Sequence, residues 1–163
     1  MSRRLVIDSR SFGTEGASLR GELAVASLGR LLDLLTDSAG CVQYRIQGGI
    51  GPLGRSQLLL AVEGLLSLRC QRCLEAIDYR LEVRSLLEFV DEEGDLTQEE
   101  LEDDSRDFLP HQQELDVAVL VEDEILLALP TAPRHDDCVL PGARQSTARV
   151  SPFSVLAGFH GKA

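Results

Sequence analysis

The residues with the clearest chemical potential are four side chains that occur as two short pairs. Cys70 and Cys73 are separated by two residues, and about sixty positions later His135 and Cys138 repeat that spacing. Thiolates and imidazole are the ligands of structural zinc, and two pairs from separate loops can complete its tetrahedron. The spacing therefore predicts a structural zinc site made of Cys70, Cys73, His135 and Cys138.

Two alternatives stay open for these residues. They could be ordinary thiols beside a surface histidine. They could also be a thioredoxin-like redox pair, although that motif opens a helix after a strand, whereas a second strand pattern follows Cys70 and Cys73. Cys41 lies inside another strand pattern, so we expect it to be buried.

Arginines gather around the first cysteine pair. Arg69 precedes the first cysteine, Arg72 lies between the two, and Arg80 and Arg84 share the polar face of the strand that follows. A row of guanidinium groups on one sheet face is suited to contact phosphates, so these four arginines are predicted to form a phosphate-contact surface. The alternative is that the same arginines pair across strands with carboxylates, for which the candidates are Glu63, Glu82 and Glu88.

The sequence offers no arrangement of residues that is typical of catalysis. It contains neither a phosphate-binding P-loop nor a dinucleotide-binding fingerprint. No serine or cysteine motif that would suggest a nucleophile and its base surrounds His111, His135 or His160. We therefore expect no catalytic residues and no enzymatic activity.

The negative charge of the chain is concentrated in one segment. The net charge is −11, and Asp91–Asp107 contains ten acidic residues against Arg106 alone. The rest of the chain then has 17 acidic and 15 basic residues, so it is nearly neutral and compatible with local basic patches. Residues 91–107 are predicted to be a mobile acidic loop, because they have little apolar content. With no apolar run long enough to span a bilayer and no export signal, the protein is expected in the cytoplasm.

Apolar residues at every second position predict three strands. They cover about residues 41–47, 56–69 and 75–90, and the third shows the most regular alternation. Gly48–Arg55, which contains four glycines and one proline, is predicted to be a flexible loop between the first two strands. Strands that expose one polar face indicate an antiparallel sheet.

The densest apolar run predicts a central helix over Val117–Leu129. Asp116 is a suitable N-cap, and Pro130 ends the helix. The predicted core face comprises Val117, Leu120, Val121, Ile125, Leu127 and Ala128. The acidic triplet 122–124 is interpreted as a solvated edge of this helix, with an ion pair from Glu122 or Glu124 to an arginine elsewhere as the alternative.

Shorter elements complete the expected fold. Arg4–Phe12 is expected to be an edge strand or ordered arm, and Leu28–Leu35 a short helix. A loop at 139–150 precedes a predicted C-terminal helix, Phe153–Phe159. Residues 1–163 are thus predicted to form one α+β domain, in which an antiparallel meander or barrel-like sheet is packed by the central helix, with short N- and C-terminal helices.

Three motifs of this chain resemble one bacterial and chloroplast family. They are CQRCL at Cys70–Leu74, VEDEILLALPTAPRHDDC at Val121–Cys138 and SPFSVLAGF at Ser151–Phe159. Their order and spacing are similar to those of the YceD family, the large ribosomal RNA subunit accumulation proteins. The resemblance is strongest from about Ser56 to the end of the chain.

The resemblance implies a function that the motifs alone do not supply. It implies a non-enzymatic factor that is needed for accumulation or processing of 23S ribosomal RNA during biogenesis of the large ribosomal subunit. The expected partners are large-subunit ribosomal RNA, its precursors or ribosomal proteins. With RNA as the implied partner, the predicted RNA-binding residues are Arg69, Arg72, Arg80 and Arg84. The alternative is a zinc-stabilised adaptor between proteins, which would affect ribosomal RNA only indirectly.

Overall fold

A sheet of six strands organises the chain in the computed structural model, which describes residues 4–91, 96–140 and 153. In chain order the strands are β1 Val6–Ile7, β2 Ser18–Ala24, β3 Leu35–Asp37, β4 Cys41–Ile50, β5 Ser56–Arg69, β6 Ala76–Val90, β7 Asp107–Pro110 and β8 Leu115–Asp116. The helices are α1 Ser9–Thr14, α2 Gln98–Leu101 and α3 Val117–Ala128. The predicted C-terminal helix, apart from Phe153, and the predicted loop beyond residue 140 lie outside the described residues.

The predicted antiparallel meander is confirmed as β4-β5-β6 at the centre of the sheet. The full order is β2-β4-β5-β6-β7, with β3 also pairing β5, whereas β1 and β8 form a separate two-stranded sheet. β7 runs parallel to β6, so the sheet is mixed rather than purely antiparallel. Because β2 and β7 stand at opposite ends of this order, the sheet is open, and the barrel-like alternative is wrong.

The predicted flexible loop Gly48–Arg55 begins too early. Gly48 and Gly49 belong to β4 and pair with Leu58 and Gln57 of β5. A side chain added at Gly48 would lie 2.2 Å from the backbone oxygen of Phe12 in α1. This glycine therefore allows α1 to pack closely on the sheet and does not indicate flexibility.

The central helix is confirmed with nearly its predicted bounds. Asp116 caps α3 by accepting hydrogen bonds from the backbone N–H groups of Ala118 (2.9 Å) and Val119 (3.3 Å). Val121 and Ile125 are fully buried against the inner face of the sheet. Leu127 and Ala128, predicted on the core face, are instead exposed at the end of the helix. None of the described helices is long and apolar enough to cross a membrane.

The acidic triplet of α3 is not a solvated edge. Glu122 and Glu124 are buried, with 7% and 6% of their surface exposed. Glu122 forms a salt bridge with Arg30 at 2.9 Å, and the hydroxyl of Ser85 donates to Glu124. The alternative expectation of an ion pair between Glu122 and a distant arginine is therefore correct.

The N-terminal elements differ from their predictions. Arg4–Phe12 is not one strand, because only β1 is extended and Asp8 caps α1, which starts at Ser9. Leu28–Leu35 is not a helix but contains a 3₁₀ turn at Leu32–Leu34 and then enters β3. The carboxylate of Glu122 accepts hydrogen bonds from the N–H groups of Arg30 and Leu31, and these contacts hold an irregular turn in place of a helix.

The acidic segment contains regular structure in its second half, which corrects the expectation of one continuous loop. Thr97 and Glu100 form a capping box at α2, and Asp107 begins β7. Glu100 also pairs with Arg55 at 2.6 Å, beside the salt bridge between Arg55 and the buried Glu88. These contacts explain how a segment with little apolar content acquires structure. Its mobility stays a prediction.

Candidate metal centre and the open sheet face

Cys70 and Cys73 occupy the turn that connects β5 to β6, as their spacing predicts. The N–H of Cys70 donates to the carbonyl of Glu75 at 2.9 Å, and the N–H of Leu74 donates to the carbonyl of Cys70 at 3.0 Å. Leu74 has a positive φ of 66°, which few residues other than glycine adopt. This tight turn directs both sulfurs to the same side of the hairpin tip.

His135 and Cys138 reach this tip from the segment that leaves α3. The prolines after the helix prevent its continuation, so the chain turns towards the hairpin. The N–H of Gln71 donates to the carbonyl of Pro133 at 2.8 Å. This bond fixes the position of the second pair relative to the first.

The four predicted ligands meet at one point, and their geometry fits tetrahedral zinc. Two sulfurs bound to tetrahedral zinc are about 3.8 Å apart, and a sulfur and a nitrogen are about 3.5 Å apart. The sulfurs of Cys70 and Cys138 are 3.6 Å apart, and the sulfur of Cys73 lies 3.3 Å from His135 Nδ1. All four donor atoms lie within 4.8 Å of one another. The group could therefore hold a metal ion.

The hydrogen bond of His135 selects the nitrogen that faces this point. Its Nε2 lies 2.9 Å from the backbone carbonyl of Ala76. A carbonyl only accepts hydrogen bonds, so in this contact Nε2 carries the proton, and Nδ1 of the neutral ring is left with a free electron pair beside Cys73. Zinc-binding histidines in proteins are held in this way by a second hydrogen bond.

Arg72 belongs to the same cluster. Its Nε donates to the sulfur of Cys138 at 3.1 Å, and a terminal nitrogen donates to the carbonyls of His135 and Asp136. Three thiolates bound to a divalent metal would leave the site with a net negative charge. The guanidinium of Arg72 places a positive charge beside it. It also holds together the two segments that carry the ligands.

The environment favours the thiolate form of two cysteines. Burial acts to raise the pKa of Cys70, but the N–H groups of Cys73 and Arg72 donate to its sulfur, and this pKa falls to about 5. Burial also acts to raise the pKa of Cys138, but the hydrogen bond from the Arg72 guanidinium contributes to lowering it overall. The N–H of Glu75 acts to lower the pKa of Cys73, but burial and the adjacent Cys70 sulfur raise it overall. Thiolate is the metal-binding form of cysteine.

The other free cysteine does not match its prediction. Cys41 is exposed, because the alternation of β4 places Val42 in the core and Cys41 on the outer face. It therefore stands apart from the metal cluster.

The four predicted RNA-binding arginines do not form one group. Arg72 lies in the metal cluster, and Arg69 donates to the carbonyl of Leu35 at 3.5 Å. Arg80 pairs with Glu82 of its own strand at 2.6 Å, so it has a carboxylate partner, but not one across strands as the alternative expected. Arg84 is exposed on the outer face of β6 and makes neither a hydrogen bond nor an ion pair with any described residue. The RNA-binding role of these residues stays a prediction.

Sequence reasoning missed two arginines that share this outer face. Arg20 of β2 lies directly opposite Arg45 of β4, and Arg45 lies opposite Ala61 of β5, which in turn lies opposite Arg84. Period-two alternation could have placed each arginine on a polar face. The row itself depends on strand pairing, which alternation alone does not give.

Comparison with known proteins gives a family assignment. Residues 58–159 match the family described as large ribosomal RNA subunit accumulation protein YceD. The match extends from β5 to Phe159 and includes both ligand pairs, and it covers more than half of the 163 residues. No curated protein and no solved structure gives a significant match. The expected resemblance is therefore confirmed, and the chain belongs to the YceD family.

Proposed function

We propose that this protein is a non-enzymatic factor for the accumulation of 23S ribosomal RNA, and that it acts in the cytoplasm on precursors of the large ribosomal subunit. The observation that carries this proposal is the family match over residues 58–159, whose description names large ribosomal RNA subunit accumulation. The match includes the three central elements of the fold, β5, β6 and α3.

The ligand set of the metal cluster supports a structural rather than a catalytic role. Cys70, Cys73, His135 and Cys138 would fill all four positions of tetrahedral zinc. Catalytic zinc keeps one position for water or substrate, and this set leaves none. In this proposal the metal ties the hairpin to the segment after α3, and the protein performs no chemical reaction on RNA.

Direct contact with RNA is part of the proposal. Arg72, Arg69 and Arg80 have hydrogen-bond or ion-pair partners within the protein, so this proposal does not rely on the cysteine hairpin for phosphate contact. The outer face of the sheet remains, where Arg84 has no carboxylate partner among the described residues. Arginine is well suited to phosphate, because its guanidinium presents several donors in a fixed plane.

Depletion of the protein from growing cells tests the functional role. We expect the ratio of mature 23S to 16S ribosomal RNA to fall and 23S precursors to accumulate or decay, with recovery when the parent gene is restored. A ratio that stays unchanged after complete depletion would contradict the proposed role.

Crosslinking in cells tests the mode of action. Sequencing of bound RNA should recover large-subunit ribosomal RNA or its precursors from the parent protein, and mass spectrometry should identify ribosomal proteins in the same complexes. A protein that carries the same tag and is unrelated to ribosomes provides the background control. Recovery of ribosomal proteins without RNA would favour the adaptor alternative over direct RNA contact.

A further inference from the structure

Three arginines form a row across four strands on the open face of the sheet. Arg20, Arg45 and Arg84 are all exposed, and the strand register aligns them with Ala61 between the second and the third. We call these three residues the arginine row. With strands about 4.8 Å apart, the row extends about 14 Å across the sheet.

The residues of the arginine row lack the carboxylate partners that several other arginines of this protein have. Arg4, Arg10 and Arg30 each pair with a carboxylate, whereas no residue of the row forms a salt bridge with any part of the chain that the structure describes. Arg20 and Arg45 are also directly opposite each other. Like charges in that arrangement destabilise a sheet. Such a local conflict is typical of a surface whose partner is an anion from outside.

The small side chain in the row provides a place for that anion. Arg45 and Arg84 stand on either side of Ala61, about 10 Å apart, since they are two strands apart. Two long guanidinium side chains can lean over a methyl group from both sides. This arrangement can hold a phosphate between two planar donors.

Parallel rows on both sides of the arginine row limit the shape of the ligand. On one side, about 7 Å away, lies an acidic row in which Gln43 separates Glu22 from Glu63 and Glu82. On the other side lies an uncharged row, which consists of Ser18, Gln47, Leu59 and Leu86. The acidic row repels phosphates, so an anionic ligand is confined to a line one residue wide. A duplex, whose two strands present phosphates across a groove, does not suit so narrow a line.

We propose that the open sheet face binds the backbone of a single RNA strand, with phosphates along Arg20, Arg45 and Arg84 and with bases over the uncharged row. Leu59, which is 49% exposed, gives the bases an apolar surface. This inference rests on the proposed function and names the surface by which the protein contacts its RNA. It also explains how a protein with a net charge of −11 can bind a polyanion, because the contact is local and aligned.

A charge-matched pair of variants tests this surface in the full-length protein. Arg45→Gln/Arg84→Gln removes the two guanidinium groups beside Ala61. Arg4→Gln/Arg10→Gln removes the same net charge from exposed arginines that pair with Asp116 and Asp91. The probe is a fluorescent single-stranded RNA of about 12 nucleotides and mixed sequence, and the readout is fluorescence anisotropy at several salt concentrations.

We expect the Arg45→Gln/Arg84→Gln variant to bind the probe at least about tenfold more weakly than the parent. Its slope of log affinity against log salt should be smaller by about 1.4, since each phosphate contact of a single strand contributes about 0.7. The Arg4→Gln/Arg10→Gln variant should bind within about twofold of the parent. The melting temperature of the first variant should equal or exceed that of the parent, because the removed arginines have no partners among the described residues.

Several results would overturn this inference. Equal losses in the two variants would show that only net charge matters, and parental binding by Arg45→Gln/Arg84→Gln would place the RNA elsewhere. Equal affinity for a duplex of the same sequence would exclude the single-strand arrangement. A parent protein that does not bind the probe but still sediments with large-subunit precursors would end this inference, and it would leave the role in 23S ribosomal RNA accumulation intact.

Discussion

Arg72 shows how a single side chain can serve a metal site without being a ligand. It donates to the sulfur of Cys138 and to the carbonyl of His135, so it contacts both a ligand atom and the backbone of the second ligand pair. Residues that orient metal ligands in this way typically affect affinity by about 10- to 100-fold.

We therefore expect Arg72→Ala to weaken zinc binding by about 10- to 100-fold. Competition with a chromophoric zinc chelator measures this change. Arg69→Ala on the same hairpin is the matched control and should retain parental affinity, because the Arg69 guanidinium donates to the carbonyl of Leu35 and to no described ligand of the metal cluster. Equal affinities in both variants would exclude a role for the guanidinium at the metal.

Glu124 gives a residue-scale prediction about pH. Burial raises the pKa of this carboxyl above its ordinary range, the Ser85 hydroxyl opposes that effect, and the charges of Asp107 and Asp123 add to it. The folded state then holds a proton at pH values where the unfolded state has lost it. This contribution to stability is complete below the ordinary glutamate pKa of about 4.3 and is lost as pH rises through the raised value.

Glu124→Gln should remove this pH dependence while it keeps an acceptor for Ser85. Urea unfolding of parent and variant at a series of pH values above about 4 measures the difference in free energy of unfolding. We expect the parent to lose stability relative to the variant as pH rises. Two curves that stay parallel over this range would contradict the assigned effect of burial.

At the scale of elements, Glu122 connects α3 to the irregular chain between β2 and β3. Its carboxylate accepts from the N–H groups of Arg30 at 2.7 Å and Leu31 at 3.3 Å. Glu122→Ala would leave the N–H of Arg30 without this acceptor, whereas the N–H of Leu31 would keep its bond to the carbonyl of Leu28 at 3.2 Å. An unsatisfied donor of this kind costs about 1–3 kcal/mol. We expect a loss of this order in the free energy of unfolding, measured by chemical denaturation.

Asp123→Ala is the control for Glu122→Ala, since the two residues are adjacent and both pair with Arg30. Asp123 is half-exposed, and exposed ion pairs contribute at most about 1 kcal/mol. A loss in Asp123→Ala as large as that in Glu122→Ala would show that the ion pair, not the bonds to the turn, is the important contact.

The packing of α3 on the sheet gives a second element-scale prediction. Val121 and Ile125 are fully buried, so Val121→Asp or Ile125→Asp places an unpaired carboxylate in the core. The cost of several kcal/mol is comparable to the whole stability of a typical domain. We expect loss of the cooperative thermal transition in both variants. Leu127→Asp on the same helix should melt near the parent, because Leu127 is 76% exposed.

At the scale of the whole molecule, the metal cluster connects two distant parts of the chain. Cys70 and Cys73 lie between β5 and β6, and His135 and Cys138 follow α3, so a bound metal closes a loop of about sixty residues. Metal that binds only the folded state contributes its binding energy to folding. The cluster would then hold the sheet and α3 together from one end.

We expect zinc-loaded protein to lose thermal stability when a strong chelator is added, and to contain one zinc per chain by native mass spectrometry. Cys138→Ser should abolish both the bound zinc and the chelator effect. Cys41→Ser is the control, because Cys41 is exposed and outside the cluster. Protein made with ample zinc that carries no metal and melts identically with chelator would exclude the zinc site.

Local patterns in the sequence determined the meander, the central helix and the identity of the ligand pairs. Alternation in β4, β5 and β6, the cap at Asp116 and the spacing of Cys70 and Cys73 each depend on residues close together in the chain. Short-range chemistry of this kind can be recognised without knowing the fold.

Tertiary structure alone decided which distant residues became neighbours. It buried Glu122 beside Arg30, drew Arg72 into the metal cluster and left Arg84 on the open face. It also aligned Arg20 with Arg45, which are 25 positions apart and meet only because β2 pairs β4 in that register. The physical reason is that a one-residue change of register would keep every local pattern and yet turn these side chains to the other face of the sheet.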